Sequence, residues 1–288
     1  MPQRIEVPRG KSQDSAAVFP SSPHIFLNKK ESDKELFGRS PQNVNWACAR
    51  CHTGHRSYFA GRMSTWNSTE YSDAVKGHCY SQAKARQHSM KSLTCIHCHQ
   101  QYNSTDAIAA HTHHKVDSAG SRCMNYHMPK INEGMQDVVR THLIFSPTEP
   151  KMLRSNQPNA CNLCHVEKPI DRFAEWYNFK KSAVFEASVV ANYPKRDEPV
   201  ALGWLASDQH FTRLVAAEAL TEAQARWAVP ALIEALDDPH LETRQFTQKG
   251  LEAMLGRRLA DLDYRFWMMK KEREARMRAE LLKKSEAK

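Results

Sequence analysis

Between residues 200 and about 258, apolar side chains recur at helical spacing. Leu202 and Leu205 are followed by Leu214, Val215, Ala219 and Leu220, then by Val229, Leu232, Ile233 and Leu236, and last by Leu241, Phe246, Leu251, Met254 and Leu255. Asp208 and Asp238 each stand just before a predicted helix, 30 residues apart, and Asp237-Asp-Pro-His-Leu-Glu-Thr-Arg244 reads as a turn leading into an amphipathic helix. The pattern predicts helical hairpins similar to HEAT repeats over 201–258, with a plain helical bundle as the alternative. Two such units are fewer than repeat stacks usually need to stand alone, so they are expected to lean on what precedes them.

The rest of the chain lacks that rhythm. Residues 1–44, with Pro2, Pro8, Pro20, Pro23 and Pro41 among many Ser and charges, predict an extended N-terminal arm, in which His24 occupies a short apolar island. Residues 45–170 have few Leu, Ile or Val runs and would bury little apolar area for their length; a helix over Thr65–His78 and irregular connections are expected there. Residues 171–200 read as a helical connection closed by Pro194 and Pro199. Residues 259–288 read as a long charged helix whose Tyr264, Phe266, Trp267, Met268 and Met269 should dock. The fold class is therefore mainly α with much irregular loop.

The apolar-poor stretch carries the chemistry. Three times it spells Cys-x-x-Cys-His: Cys48-Ala-Arg-Cys51-His52, Cys95-Ile-His-Cys98-His99 and Cys161-Asn-Leu-Cys164-His165. Two thiols at this spacing add to the two vinyl groups on one porphyrin edge, and the next residue then lies under the iron, so the motif is the attachment signal for haem c with His52, His99 and His165 as proximal ligands. Paired Cys-x-x-Cys also builds zinc ribbons, but those do not need a following His. With 15 His in 288 residues, three such placements by chance come to roughly 1 in 10,000. Haem discs would supply the missing interior, so this region is expected to fold around its cofactors.

A fourth site is altered. Cys123-Met-Asn-Tyr126-His127-Met-Pro keeps the first thiol and the histidine, but Tyr126 replaces the second thiol. Three readings stand side by side: a haem held by one thioether at Cys123 with His127 as proximal ligand; a lost haem whose space Tyr126 partly fills; or a disulfide between Cys123 and Cys79. Those two are what remains when the six motif cysteines are taken from eight. Cys79 follows His78 and is equally placed to neighbour a haem. Further histidines are dense here, at 55, 78, 88, 97, 111, 113, 114 and 142, and six-coordinate haems need one more imidazole each.

A net charge of +9 raises the question of nucleic acid. Three haems would add about six propionate charges that Lys and Arg can pair. No recognition helix and no basic strand interleaved with aromatics is present, so a nucleic-acid partner is not expected. No run approaches the 18 or so apolar residues that span a bilayer. The start, Met1-Pro-Gln-Arg-Ile-Glu-Val, is polar and is no signal peptide. Haem attachment takes place on the outer side of the cytoplasmic membrane, so a periplasmic or otherwise exported protein is expected, with a leader not present in this chain.

The run Thr112-His-His-Lys-Val-Asp-Ser-Ala-Gly-Ser-Arg-Cys-Met-Asn-Tyr-His-Met-Pro129, followed by Arg140-Thr-His142-Leu and by Pro158-Asn-Ala-Cys-Asn-Leu-Cys-His165, resembles bacterial multihaem c-type cytochromes that carry C-terminal tetratricopeptide or HEAT-type repeats. The resemblance covers roughly residues 45 to 256 and is most specific in 95–170. It implies four clustered haems, mostly with two His ligands. It also suggests His78, His113 or His114, and His142 as distal ligands, with His55 and His111 in reserve. Tyr126 departs from the family's Cys-x-x-Cys-His-Met-Pro, and Thr141 replaces its usual Asp. The function expected is electron transfer with a partner redox protein or a larger redox complex, with no catalytic residues, because two imidazoles leave iron no open position. The alternatives are a haem enzyme with one open iron acting on a small nitrogen or sulfur species, and a subunit that mainly scaffolds a redox complex.

Overall fold

The computed structural model describes residues 59, 65, 79, 95–147, 152, 155–176, 187, 193 and 195–276. The N-terminal arm, the first motif (Cys48, Cys51, His52) and the candidate ligands His55 and His78 lie outside the described residues, as does most of the helix expected over 65–78. Helix accounts for 56% of the described residues, so the chain is mainly α.

The motif-bearing part is built of short elements. Helices α1 (Cys95–Cys98) and α3 (Cys123–His127) are single turns of four and five residues, too short to be stable by themselves. Between them α2 (Thr105–Thr112) starts at Ser104, whose hydroxyl accepts from Ala107 N at 3.2 Å, and stops where His113 turns left-handed at φ 57°. The antiparallel hairpin β1 (Lys130–Glu133) and β2 (Val138–Arg140) follows α3 at once. It stands where the sequence predicts irregular chain, because strands of four and three residues are too short to display an alternation. Helix α4 (Ala160–Cys164) is started by Asn159, whose side chain accepts from Asn162 N at 2.9 Å, while Asn162 Nδ2 reaches on to Lys168 O at 3.0 Å. That capping is the structural use of the Pro-Asn-Ala lead-in. Helix α5 (Ile170–Trp176) closes this part.

The periodic part forms α6 (Val200–Leu205), α7 (His210–Glu222), α8 (Val229–Ala235) and α9 (Leu241–Leu255). Their apolar faces share one core: Trp204, Ala216, Ala217, Leu220, Leu232, Leu236 and Leu251 are fully or almost fully buried, and the core runs on through Val166, Ile170 and Phe173 to Cys161. Gly250 lets α7 and α9 approach closely, since a Cβ there would lie 2.3 Å from Thr221 Oγ1 and 2.6 Å from its Cβ. Asp238 anchors the junction. Arg213 clamps it with Nε–Oδ2 2.5 Å and Nη2–Oδ1 3.0 Å, and His240 N donates to Oδ1 at 2.8 Å. Burial raises the Asp238 carboxyl, but the guanidinium and the backbone N–H outweigh it and hold the carboxyl below its ordinary value.

The two parts are joined through the hairpin. Ile131 and Val138 pack with Phe59, Met152, Leu214, Val215 and Phe246 in a second core. Around it, Lys130 pairs with Glu222 at 2.9 Å, and Lys249 donates to Gln136 O at 2.8 Å and pairs with Asp137. Trp204 Nε1 donates to Asn156 Oδ1 at 2.9 Å. The helical part does lean on its neighbour.

The C-terminal segment departs from the expected long helix from 259. Leu259–Leu262 is a 3-10 turn, Asp263 is left-handed at φ 59°, and the helix, α10 (Lys270–Arg276), begins eleven residues later. Tyr264 enforces the break: it is buried and donates to Leu236 O at 2.8 Å. Phe266 and Met268 pack on the core while Trp267 and Met269 are exposed, and Arg273 ties α10 down through Asp237 at 2.8 Å.

Candidate functional site

The short helices gather the candidate residues at one place. The two described intact motif turns close the same way, His99 N bonding Cys95 O at 3.0 Å and His165 N bonding Cys161 O at 2.8 Å, whereas at the altered site the closing bond comes one residue later, from Met128 N to Met124 O at 3.1 Å. His99 and His165 therefore follow directly on the turn that carries the thiols, while His127 is the last residue of its turn. Cys95 and Cys98 are exposed, Cys123 is half-buried, Cys161 is buried and Cys164 exposed.

Two imidazole pairs come together. The ring centres of His111 and His127 are 6.3 Å apart with planes 7° from parallel, and those of His114 and His165 are 5.9 Å apart at 34°. Two metal–nitrogen bonds of about 2.0 Å, with about 1.1 Å from each donor atom to its ring centre, put two imidazole centres about 6.2 Å apart across one metal. Such spacing also occurs between ordinary aromatic neighbours, so the proton positions decide whether the rings suit a metal. His127 Nδ1 lies 2.9 Å from Phe145 O, and His114 Nδ1 lies 2.6 Å from Thr112 O. A carbonyl oxygen only accepts, so Nδ1 carries the hydrogen in both rings and the neutral tautomer it selects has its lone pair on Nε2. Metal-ligating histidines use this arrangement, the ring nitrogen away from the metal donating to a carbonyl. Burial, followed by the neighbouring His127, His113 and His99, lowers the His111 imidazole below its usual value, and burial likewise lowers His165. Both shifts favour the neutral form that coordination requires, although His111 itself remains exposed.

Gly120 completes the His114 site. A Cβ at that position would lie 2.2 Å from Cδ2 and 2.8 Å from Nε2 of the ring, so only a bare backbone leaves it room. Tyr126, in the missing thiol's position, places its hydroxyl 2.8 Å from His114 Nδ1 and 2.7 Å from Gly120 O. Burial, then Cys161 and Cys164, push its phenol up to about 12, so it remains a neutral hydroxyl. Helix α3 is clamped by Arg140, whose guanidinium donates to Met124 O and Met128 O at 2.7 and 2.9 Å.

The remaining candidates are spread around these pairs. Tyr102 stacks on His111 at 4.3 Å between ring centres and lies 6.4 Å from His99. His142 is half-buried, and its Nδ1 is buried without a hydrogen bond. The Thr141 hydroxyl accepts from Leu143 N at 3.2 Å. His113 is the left-handed cap of α2 and is exposed. The Cys95 and Cys123 thiols are hydrogen-bond neighbours, with Cys79 close enough to act on Cys95 electrostatically; desolvation first and these thiols next raise Cys95. Cys79, Cys95, Cys98, Cys123 and Cys164 are free thiols.

Sequence reasoning held His111 in reserve and named His113 beside His114. The structure brings His111 and His114 to histidines of the motif set and leaves His113 at the surface. No local signal distinguishes them, since the choice depends on where α3 and α4 return to meet α2. Among the described residues no group of three or more His, Cys, Asp or Glu side chains is arranged to hold a metal ion, and no helix is long and apolar enough to cross a membrane. Comparison with protein-family models, with curated proteins and with solved structures found no match.

Proposed function

We propose that this chain is an exported multihaem c-type cytochrome that passes electrons to or from a partner redox protein. Three haems c would be held by Cys48/Cys51 with His52, Cys95/Cys98 with His99, and Cys161/Cys164 with His165. A fourth would hang on a single thioether at Cys123 with His127. The observation that carries the reading is the coincidence of motif and geometry: His127, which ends one motif turn, and His165, which follows another, each lie beside a second imidazole at about the separation one metal would span. His111 and His114 are then the distal ligands of those two sites, and His142 is a candidate for another.

Each bound haem supplies a one-electron ferric/ferrous couple. The chain's part would be to supply two imidazoles to each haem, leaving small molecules no place to bind, and to set ligand basicity through the Phe145 and Thr112 carbonyls. Phe145 packs against the second core, so the carbonyl that orients His127 is fixed by the docking of the two parts.

The helical part is proposed to be two HEAT-like helix pairs, α6/α7 and α8/α9. Supporting this, Arg213 and Arg244 of the two pairs both bind the Asp238 turn, Arg244 Nη1 donating to Asp238 O at 2.6 Å. This part would offer the partner its surface.

The intact mass of the holoprotein tests the reading directly. Four covalent haems are expected, and the unmodified chain mass would end it. The fourth haem has its own signature: an unreacted vinyl group extends the porphyrin conjugation, so the pyridine haemochrome band should carry a component to the red of that given by a doubly attached haem. Electron paramagnetic resonance should show low-spin ferric signals only.

A further inference from the structure

Tyr126 stands where the intact motifs carry their second thiol, yet its hydroxyl serves a different motif. It lies 2.8 Å from Nδ1 of His114, the ring paired with His165. The protons can be assigned. Thr112 O, at 2.6 Å, only accepts, so His114 Nδ1 bears the hydrogen. Gly120 O, at 2.7 Å, also only accepts, so the Tyr126 O–H points there. The phenol oxygen is left to accept a share of the His114 N–H.

We propose that Tyr126 is the positioning residue of His114: anchored on Gly120 O, its oxygen joins Thr112 O on the His114 Nδ1–H, fixing the ring and its tautomer for the site shared with His165. The proposal rests on the haem reading above. Two acceptors on one N–H draw the proton from the ring and make Nε2 a stronger donor, which favours ferric iron and lowers the potential of that haem alone. The exchange of thiol for tyrosine then removes a covalent bond at one haem and adds control at the next.

The test compares the holoprotein with Tyr126→Phe, which keeps the ring and loses only the hydroxyl, by electron paramagnetic resonance and a spectroelectrochemical titration. The haem count by intact mass should stay the same. One low-spin signal should shift and one midpoint potential should rise, while the others hold. Spectra and midpoints identical to those of the unaltered protein would overturn the positioning role and leave the haem reading standing; an unaltered protein without covalent haem would overturn the reading beneath it. If Tyr126→Phe yields no holoprotein, Tyr126→Met also removes the hydroxyl and is read the same way. Gly120→Ala adds an independent check, because its Cβ would intrude at 2.2 Å on the same ring. It must perturb the same signal as Tyr126→Phe, and perturbation of a different one counts against the proposal.

Discussion

The motif-bearing segments and the helical segments of this chain are opposites in how they bury themselves. Helices α1 and α3 bury no residue and α2 buries only Thr112, whereas α7 buries nine of its thirteen residues. Their sequences differ in the same sense, one dense in Cys and His, the other in Leu, Val and Ala at helical spacing. A chain segment with so little apolar burial does not recover the conformational entropy of ordering it. The lesson is that α1 to α3 are arranged for an interior that their own side chains do not provide, while the helical segments carry theirs with them and share it with Cys161 of α4.

The sharpest way to break this contrast is to withhold the proposed cofactor. Chain made without haem attachment should lose protection from proteolysis and hydrogen exchange across 95–147, while α6 to α9 stay protected. Equal protection of both in the unmodified chain would erase the distinction. Next in size is Trp204→Ala. It empties a fully buried site and removes the bond to Asn156, so denaturant titration of the helical signal should show a loss of about 3–5 kcal/mol. A loss under about 1 kcal/mol would mean that this core is not where the stability resides.

The smallest effect lies on the seam between the two parts. Burial, with Glu242 adding, pushes the Glu133 carboxyl up to about 7. Burial also pushes Glu218 to about 7, Glu222 and Asp137 adding while Lys249 and Lys130 oppose. Both values lie above the ordinary carboxylate value, so the folded protein holds these protons more tightly than the unfolded chain does. The contribution of each group should therefore be fully present below about pH 4.5 and be lost as pH rises to about 7, by up to about 3 kcal/mol for each. Glu218→Gln should flatten that slope in denaturant midpoints measured between pH 5 and pH 8. An unchanged slope would place the titration elsewhere.

What the sequence disclosed depends on range. The helices of 200–255 were legible because Leu214, Leu220, Leu232 and Leu251 mark a period that α7, α8 and α9 then bury. The turns carrying Cys95, Cys123 and Cys161 were legible because a five-residue motif fixes its own geometry. The hairpin was not, being too short to show alternation, and it owes its place to Leu214, Val215 and Phe246 across the seam. Nor was the late start of α10, which turns on a bond from Tyr264 to a carbonyl 28 residues earlier. The pairing of His111 with His127 and the bond from Tyr126 to His114 escaped for the same reason: each joins residues from different turns, and neither leaves a trace in local spacing.

Only Met128 and Pro129 stand between His127 and the strand that rests on α7 and α9, and Phe145, whose carbonyl orients that imidazole, packs into the same seam. The ring is thus mounted on the helix pair by a two-residue tether. In the folded holoprotein a tilt of those helices would be handed on to the imidazole.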